Sequence, residues 1–160
     1  MGAIELYEKE FVERTRHILK RYRGKYKLSN AINCTLGLIV LPNEMIRRSQ
    51  NPIWDTPINE IVELAHLRIR MFEPIQNKRR GVVSYYPKTL RIFLKKIRNG
   101  LAHQNIEPVN RSRSFIGIKV RNYFTDNAGN ADLDLEIELN REELEMFGLF
   151  IAEKYLEDTR

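Results

Sequence analysis

The sequence predicts a mainly α fold: a helical up-and-down bundle of about five helices, with a β-hairpin inserted before the last. Three observations carry this. Leu90, Phe93, Leu94, Ile97 and Leu101 fall at helical spacing and make one continuous apolar stripe. The stretch from Asn30 to Leu41 is apolar nearly all round, as befits a helix at the centre of a fold. Over residues 114–139 the apolar period shortens to two, and it returns to the helical value afterwards.

Taken in order, Ile4 to Tyr22 reads as a helix, with Ile4, Phe11, Ile18 and Tyr22 on the inner face and Glu10, Glu13, Arg14, Lys20 and Arg21 on the other. Ser29 offers a cap for the second helix, which Pro42 stops. Asn51 to Thr56 reads as a loop. Thr56 then supplies an N-cap and Pro57 a first helical position for a third helix, with Ile58, Ile61, Val62, Ala65 and Ile69 as its stripe. Glu73 to Tyr86, containing Lys78-Arg79-Arg80, reads as a loop with a short strand at Val82, Val83, Tyr85 and Tyr86. Pro87 opens the fourth helix.

Next come alternating Ile116, Ile118 and Val120, then alternating Leu133, Leu135, Ile137 and Leu139, separated by a turn at Asp126 to Asn130. Pairing Val120 with Leu135 sets Lys119 opposite Glu136 and Arg121 opposite Asp134 on the wet face. Asn140 and Glu143 then form a capping box for the last helix, whose stripe is Leu144, Phe147, Ile151 and Tyr155.

The 160 residues suffice for a single domain spanning 1–160, with the hairpin insertion at about 114–139. A lone cysteine, Cys34, excludes an internal disulfide and a multi-cysteine zinc site. Together with acidic residues throughout the first turns, which exclude a signal peptide, this points to the cytoplasm. The longest apolar run is too short to span a bilayer, so no membrane partner is expected. Charge is lopsided: residues 1–131 hold 24 Lys/Arg against 11 Asp/Glu, and residues 132–160 hold 3 against 10. A basic face attracts phosphate backbones, although a solvated basic surface without a partner has the same composition.

The chemistry concentrates at the end of the fourth helix. Asn99 and His103 lie about 40° apart, away from the apolar stripe, whereas Arg98 lies about 140° from His103 on a straight helix. Either Gly100 loosens the helix, or a second chain completes a site containing both. Lys95, Lys96, Arg111 and Arg113 flank the segment. A purely structural role is also open, because helix-terminal Arg and His side chains can bind the free carbonyls of the last turn.

Arg98-Asn99-Gly100-Leu101-Ala102-His103 resembles the signature of the HEPN superfamily (higher eukaryotes and prokaryotes nucleotide-binding): Arg, a polar residue, then His after four to six intervening positions. Phe11-Val12-Glu13-Arg14-Thr15-Arg16 and Gly37-Leu38-Ile39-Val40-Leu41-Pro42 are similar to segments of a stand-alone bacterial, plasmid-type HEPN family. The resemblance implies a HEPN-like bundle and a homodimeric, metal-independent endoribonuclease without cofactor. It implies RNA as substrate, a 2′,3′-cyclic phosphate product, and service as a toxin with an antitoxin partner or in anti-phage defence. It assigns catalysis to Arg98, Asn99 and His103, and lets Lys95, Lys96, Arg111 and Arg113 track the RNA backbone. The alternative it leaves is an inactive module binding RNA or a protein. One departure concerns regulation: family toxins silenced by nucleotidylation carry a tyrosine two residues after the His, and here that residue is Asn105.

Other candidates are weaker. Glu63-x-x-His66 is half of a di-iron helix motif with no second copy. His17 sits among basic residues as a surface side chain, and Trp54 is expected to pack against the bundle or to serve an interface.

Overall fold

The computed structural model describes residues 3–71 and 88–158. Five α-helices occur among them: α1 (Ala3–Arg21), α2 (Lys27–Val40), α3 (Asn43–Arg48), α4 (Leu90–Ala102) and α5 (Arg141–Asp158). They are joined by four strands, β1 (Arg68–Met71), β2 (Ile106–Arg111), β3 (Ser114–Thr125) and β4 (Ala131–Asn140), in one antiparallel sheet of order β1-β4-β3-β2. The fold is therefore mixed α/β, which corrects the expectation of a mainly α bundle with a small hairpin. The expected loop at Glu73 to Tyr86, its short strand and the Lys78-Arg79-Arg80 cluster lie outside the described residues.

The expectation failed at the sheet's edges. β1 has only four residues, too few for alternation to register. β2 contains Pro108, a residue that argues against a central strand but is tolerated at an edge. The expected third helix is also absent. Residues 58–60 and 62–64 instead form two 3₁₀ turns leading into β1. The residues they bury are Ile58, Ile61, Leu64 and Leu67, spaced by three, which is the 3₁₀ repeat. Val62, placed on the inner stripe by an α-helical reading, is 84% exposed. The fifth α-helix is the short α3.

Elsewhere the pattern holds. α2 lies against α1, α4 and α5 and buries Ala31, Cys34, Thr35, Leu38 and Ile39. Burial pushes the Cys34 thiol pKa up, which disfavours a reactive thiolate. In α1 the buried face is Glu8, Val12, Thr15 and Leu19, while Ile18 is 47% exposed, so the helix is rotated relative to the expected stripe. The capping box closes α5 reciprocally: the Glu143 N–H donates to Asn140 Oδ1 at 3.0 Å, and the Asn140 N–H donates to Glu143 Oε2 at 2.8 Å. Trp54 is fully buried and its indole N–H donates to Asp158 at 2.9 Å, pinning the 3₁₀ turn at Pro52–Asp55 to the end of α5.

The β3–β4 hairpin turns where expected but pairs two residues further along, with Val120 opposite Ile137, Lys119 opposite Glu138 and Arg121 opposite Glu136. A two-residue slip preserves the alternation, so Ile118, Val120, Leu135, Ile137 and Leu139 still face the core. Between Asn122 and Tyr123 the register shifts by one, because β4 carries one extra residue there, Asp134. On the outer face, charges alternate across the strands. Arg70, Glu136, Arg121 and Glu107 form one row, and Arg68, Glu138 and Lys119 a second. The hydrogen bond from Arg121 holds the Glu136 carboxyl below the usual carboxylate range, against a smaller opposing effect of desolvation. Glu136 and Glu138 of β4 thus pair with Arg68, Arg70, Lys119 and Arg121 on this face, while Arg111 at the end of β2 stays outside those pairs.

Candidate functional site

The C-terminal end of α4 is built by backbone bonds alone. His103 caps the helix (φ −93°, ψ 12°), and its N–H donates to Asn99 O at 3.0 Å. Gln104 turns left-handed (φ 59°), the Gln104 N–H donates to Leu101 O at 3.0 Å, and the Asn105 N–H donates to Gly100 O at 2.8 Å. This is a Schellman closure, with glutamine in the position that glycine usually takes. Asn105 O then accepts from the Arg121 N–H at 2.9 Å, so the chain passes from helix end to sheet edge within three residues of His103.

The Asn99, Gly100 and Leu101 carbonyls of the last turn are therefore already occupied by backbone donors. Among the described residues, the His103 imidazole and the Arg98 guanidinium have no hydrogen-bonding or ionic partner, and both are exposed. Asn99 is half-buried beside them.

Gly100 does not loosen the helix; α4 runs through it to Ala102. It is buried where α4 crosses β3, and a Cβ there would collide with the carbonyl oxygen of Arg121 and lie 3.0 Å from Val120 Cγ1. With the helix regular, the five-residue step from Arg98 to His103 keeps them about 140° apart around the axis.

Lys96 lies about 20° from His103 around that axis, on the same face, two turns earlier. Its ammonium pairs with Asp134, which is 1% exposed and also accepts from Asn122 Nδ2 at 2.7 Å. Bulging β4 turns Asp134 from the wet face, where regular alternation places it, into the interior beneath α4. Lys96 is thus engaged within the fold, while Lys95, Arg111 and Arg113 are exposed without ionic partners among the described residues. Asp134 and Asn122 were not singled out from sequence, because regular alternation gives no sign of a bulge. Removing the carboxylate strands both of its partners. Asp134→Ala is expected to cost about 3 kcal/mol in urea unfolding, and combining Lys96→Met with Asp134→Leu should recover most of that loss.

Lys95 and Arg98 face outward from α4, and Arg111 and Arg113 lie at the β2–β3 turn, a strand's length away. Glu63 and His66 do not share an α-helical face, and no cluster of three or more metal-binding side chains occurs among the described residues. No helix among those residues is long and apolar enough to cross a membrane. A family model described as HEPN pEK499 p136 matches residues 1–160. Comparison with curated proteins and with solved structures gives no match.

Proposed function

From the premise that this chain belongs to the HEPN pEK499 p136 family, we propose that it is a metal-independent endoribonuclease whose site is formed by Arg98, Asn99 and His103. The observation that carries the proposal is the unpartnered state of Arg98 and His103 at a helix end already closed by its backbone. A structural His at a C-cap would be expected to bind a carbonyl through its side chain, and the His103 imidazole binds none among the described residues.

The residue types suit transesterification. His103 takes the proton of a ribose 2′-hydroxyl, and the 2′-oxygen attacks the adjacent phosphorus. The bond from phosphorus to the 5′-oxygen breaks, an imidazolium returns a proton to that oxygen, and a 2′,3′-cyclic phosphate and a 5′-hydroxyl result. Arg98, planar and permanently charged, braces the phosphoryl oxygens as charge accumulates. Asn99 orients the imidazole or the phosphate through its amide.

Because Arg98 and His103 diverge on one helix, the working unit is a homodimer in which Arg98 of one chain serves the phosphate attacked beside His103 of the other. Mixing Arg98→Ala with His103→Ala protein tests this. Each variant alone should be inactive, and subunit exchange should restore up to about a quarter to a half of wild-type cleavage in excess EDTA, with cyclic-phosphate ends. Mixtures as inactive as their components would sink the shared site. Wild-type protein that binds RNA but never cleaves it would favour the alternative, an inactive module for RNA or a protein partner, which the same divergence of Arg98 from His103 favours if the chain is a monomer. As part of the same proposal, the nuclease serves as a toxin or defence component restrained by a protein partner.

A further inference from the structure

Among the described residues, four aromatic side chains are exposed: Tyr7, Tyr26, Phe115 and Tyr123. Tyr7 has Glu8 and Glu10 for neighbours on α1, and Tyr123 sits opposite Leu133 on the acidic strand β4. Tyr26 and Phe115 are different. Tyr26 is 66% exposed between Lys25 and Lys27 in the α1–α2 connection, and Phe115 is 45% exposed just after the Arg111-Ser112-Arg113 turn. Lys25, Lys27, Arg111 and Arg113 are all exposed, and none has a partnering carboxylate among the described residues.

The two segments border one feature. Leu28, two residues after Tyr26, and Phe115 both line a shallow depression whose other lining residues are Ile116, Asn140, Arg141 and Glu142. Arg141 is neutralised there by Glu142 and Glu145. A bulge at Ile116 interrupts the β2–β3 pairing beside Phe115.

Both segments are held in place. The Tyr22 hydroxyl accepts from the Tyr26 N–H at 3.4 Å, Gly24 passes so close to the Tyr22 ring that a Cβ would collide with it, and Arg23 donates to Lys20 O and Tyr22 O at 3.1 Å. Lys25 Nζ lies 5.8 Å from the Tyr26 ring centroid, leaving the ring's other side for a second partner. At the β2–β3 turn both central residues are left-handed, Ser112 at φ 49° and Arg113 at φ 65°. Asn-Gly is the relaxed choice for such a turn; this chain keeps an arginine in a conformation that L side chains resist.

We propose that Tyr26 and Phe115 are stacking platforms for the bases of single-stranded RNA, with Lys27, Arg111 and Arg113 on its phosphates. Aromatic faces accept any base, and flanking unpaired cations track the backbone; together they select an unpaired strand. A duplex keeps its bases stacked on each other and offers these rings nothing. The platform stands about 20 Å from His103 along β2, at about 3.3 Å per residue. This inference rests on the RNA reading above and deepens it: substrate is held as an unpaired strand and presented to α4 from the hairpin tip.

The test is fluorescence anisotropy of a short labelled mixed-sequence oligoribonucleotide with the full chain, in parallel with its duplex. Tyr26→Ala and Phe115→Ala should each weaken single-strand binding roughly 10-fold, and Tyr26→Phe and Phe115→Tyr should retain it. Duplex binding should change in none of them. Arg111→Ala and Arg113→Ala should each lower the log–log salt slope by about 0.7. Both aromatic side chains are exposed, so unchanged melting temperatures will exclude misfolding. Alanine variants that bind the single strand like wild type, equal losses on duplex, or no wild-type binding to either would each overturn the platform. His103→Ala separates the two readings. Aromatic-dependent binding without any wild-type cleavage keeps the platform and removes the nuclease; cleavage with affinity indifferent to Tyr26 and Phe115 does the reverse.

Discussion

His103→Ala is expected to abolish RNA cleavage, with a loss of roughly 10²–10⁴-fold from removal of the general acid–base group alone. The protein should remain folded. The side chain is exposed and unpartnered among the described residues, and what His103 contributes to the helix end is its backbone N–H, which alanine also has. RNA affinity should fall little, because the fixed charges of Arg98 and the neighbouring cations remain to hold phosphate. Arg98→Ala, by contrast, should weaken both affinity and turnover, since a fixed charge acts on bound substrate as well as on the transition state. The measurement is the appearance of cyclic-phosphate ends from cellular RNA in excess EDTA, with melting temperature recorded for each variant. Equal cleavage by wild type and His103→Ala would remove this residue from the chemistry.

Gly100→Ala is expected to disturb the fold strongly, and its sign separates two arguments. Helix propensity alone makes Ala in place of Gly stabilising by about 1 kcal/mol inside a helix. Packing makes it destabilising, because the new methyl would meet the Arg121 carbonyl oxygen and crowd Val120. That carbonyl cannot easily retreat. Arg121 is bonded through its N–H to Asn105, and its strand is paired with β2 on one side and β4 on the other. Overpacking a site bounded by backbone is expected to cost about 3 kcal/mol net, near the top of the range for added methyl groups. Urea unfolding by circular dichroism reads it directly. A variant as stable as wild type would mean that α4 is not seated on β3 as described. The same substitution should reduce cleavage even where the protein stays folded, since His103 is three residues further along the displaced helix.

Much of this architecture was legible in the residues, and the failures are instructive. α2, α4 and α5 could be read because each presents a long stripe at one period with a stop or cap beside it. Pro42 follows α2, and Asn140 with Glu143 opens α5; α4 was marked by its stripe, and it begins at Leu90 behind Thr89, whose hydroxyl accepts from the Ile92 N–H at 3.4 Å, rather than directly at Pro87. β3 and β4 could be read because apolar residues alternate over 116–120 in one and 133–139 in the other. Residues 57–69 could not, since a period of three and a period of 3.6 share Ile58 and Ile61 and part only at Val62 and Leu64. Neither edge strand has enough apolar positions to announce itself.

At the candidate site the motif was visible as residue types, and so was the divergence of Arg98 from His103. Two things were not. The role of Gly100 depends on which strand α4 crosses, and the partner of Lys96 depends on a bulge in a strand nearly 40 residues away. Both are tertiary facts with no local trace. Tyr26 and Phe115 also escaped notice, because an exposed aromatic cannot be told from a buried one until its neighbours are placed.

The sheet order has a consequence for how the chain assembles. β3 and β4 are joined by a short turn at Asp126–Asn130 and can pair as soon as both exist, but β1 pairs with residues 135–138, nearly 70 positions later. Closing that long loop costs entropy that only the finished edge repays, so β1 is expected to dock after the hairpin forms. Until then β4 is an unprotected edge, and in a nascent chain such an edge recruits other strands. Asp132, Asp134, Glu136 and Glu138 give it a carboxylate at every second residue, so two copies of β4 repel one another. Arg68 and Arg70 on β1 carry the opposite charge and meet Glu138 and Glu136. The same acidic strand that pairs with basic residues across the mature sheet therefore acts as a gatekeeper during synthesis, admitting its own basic edge and turning away its twin.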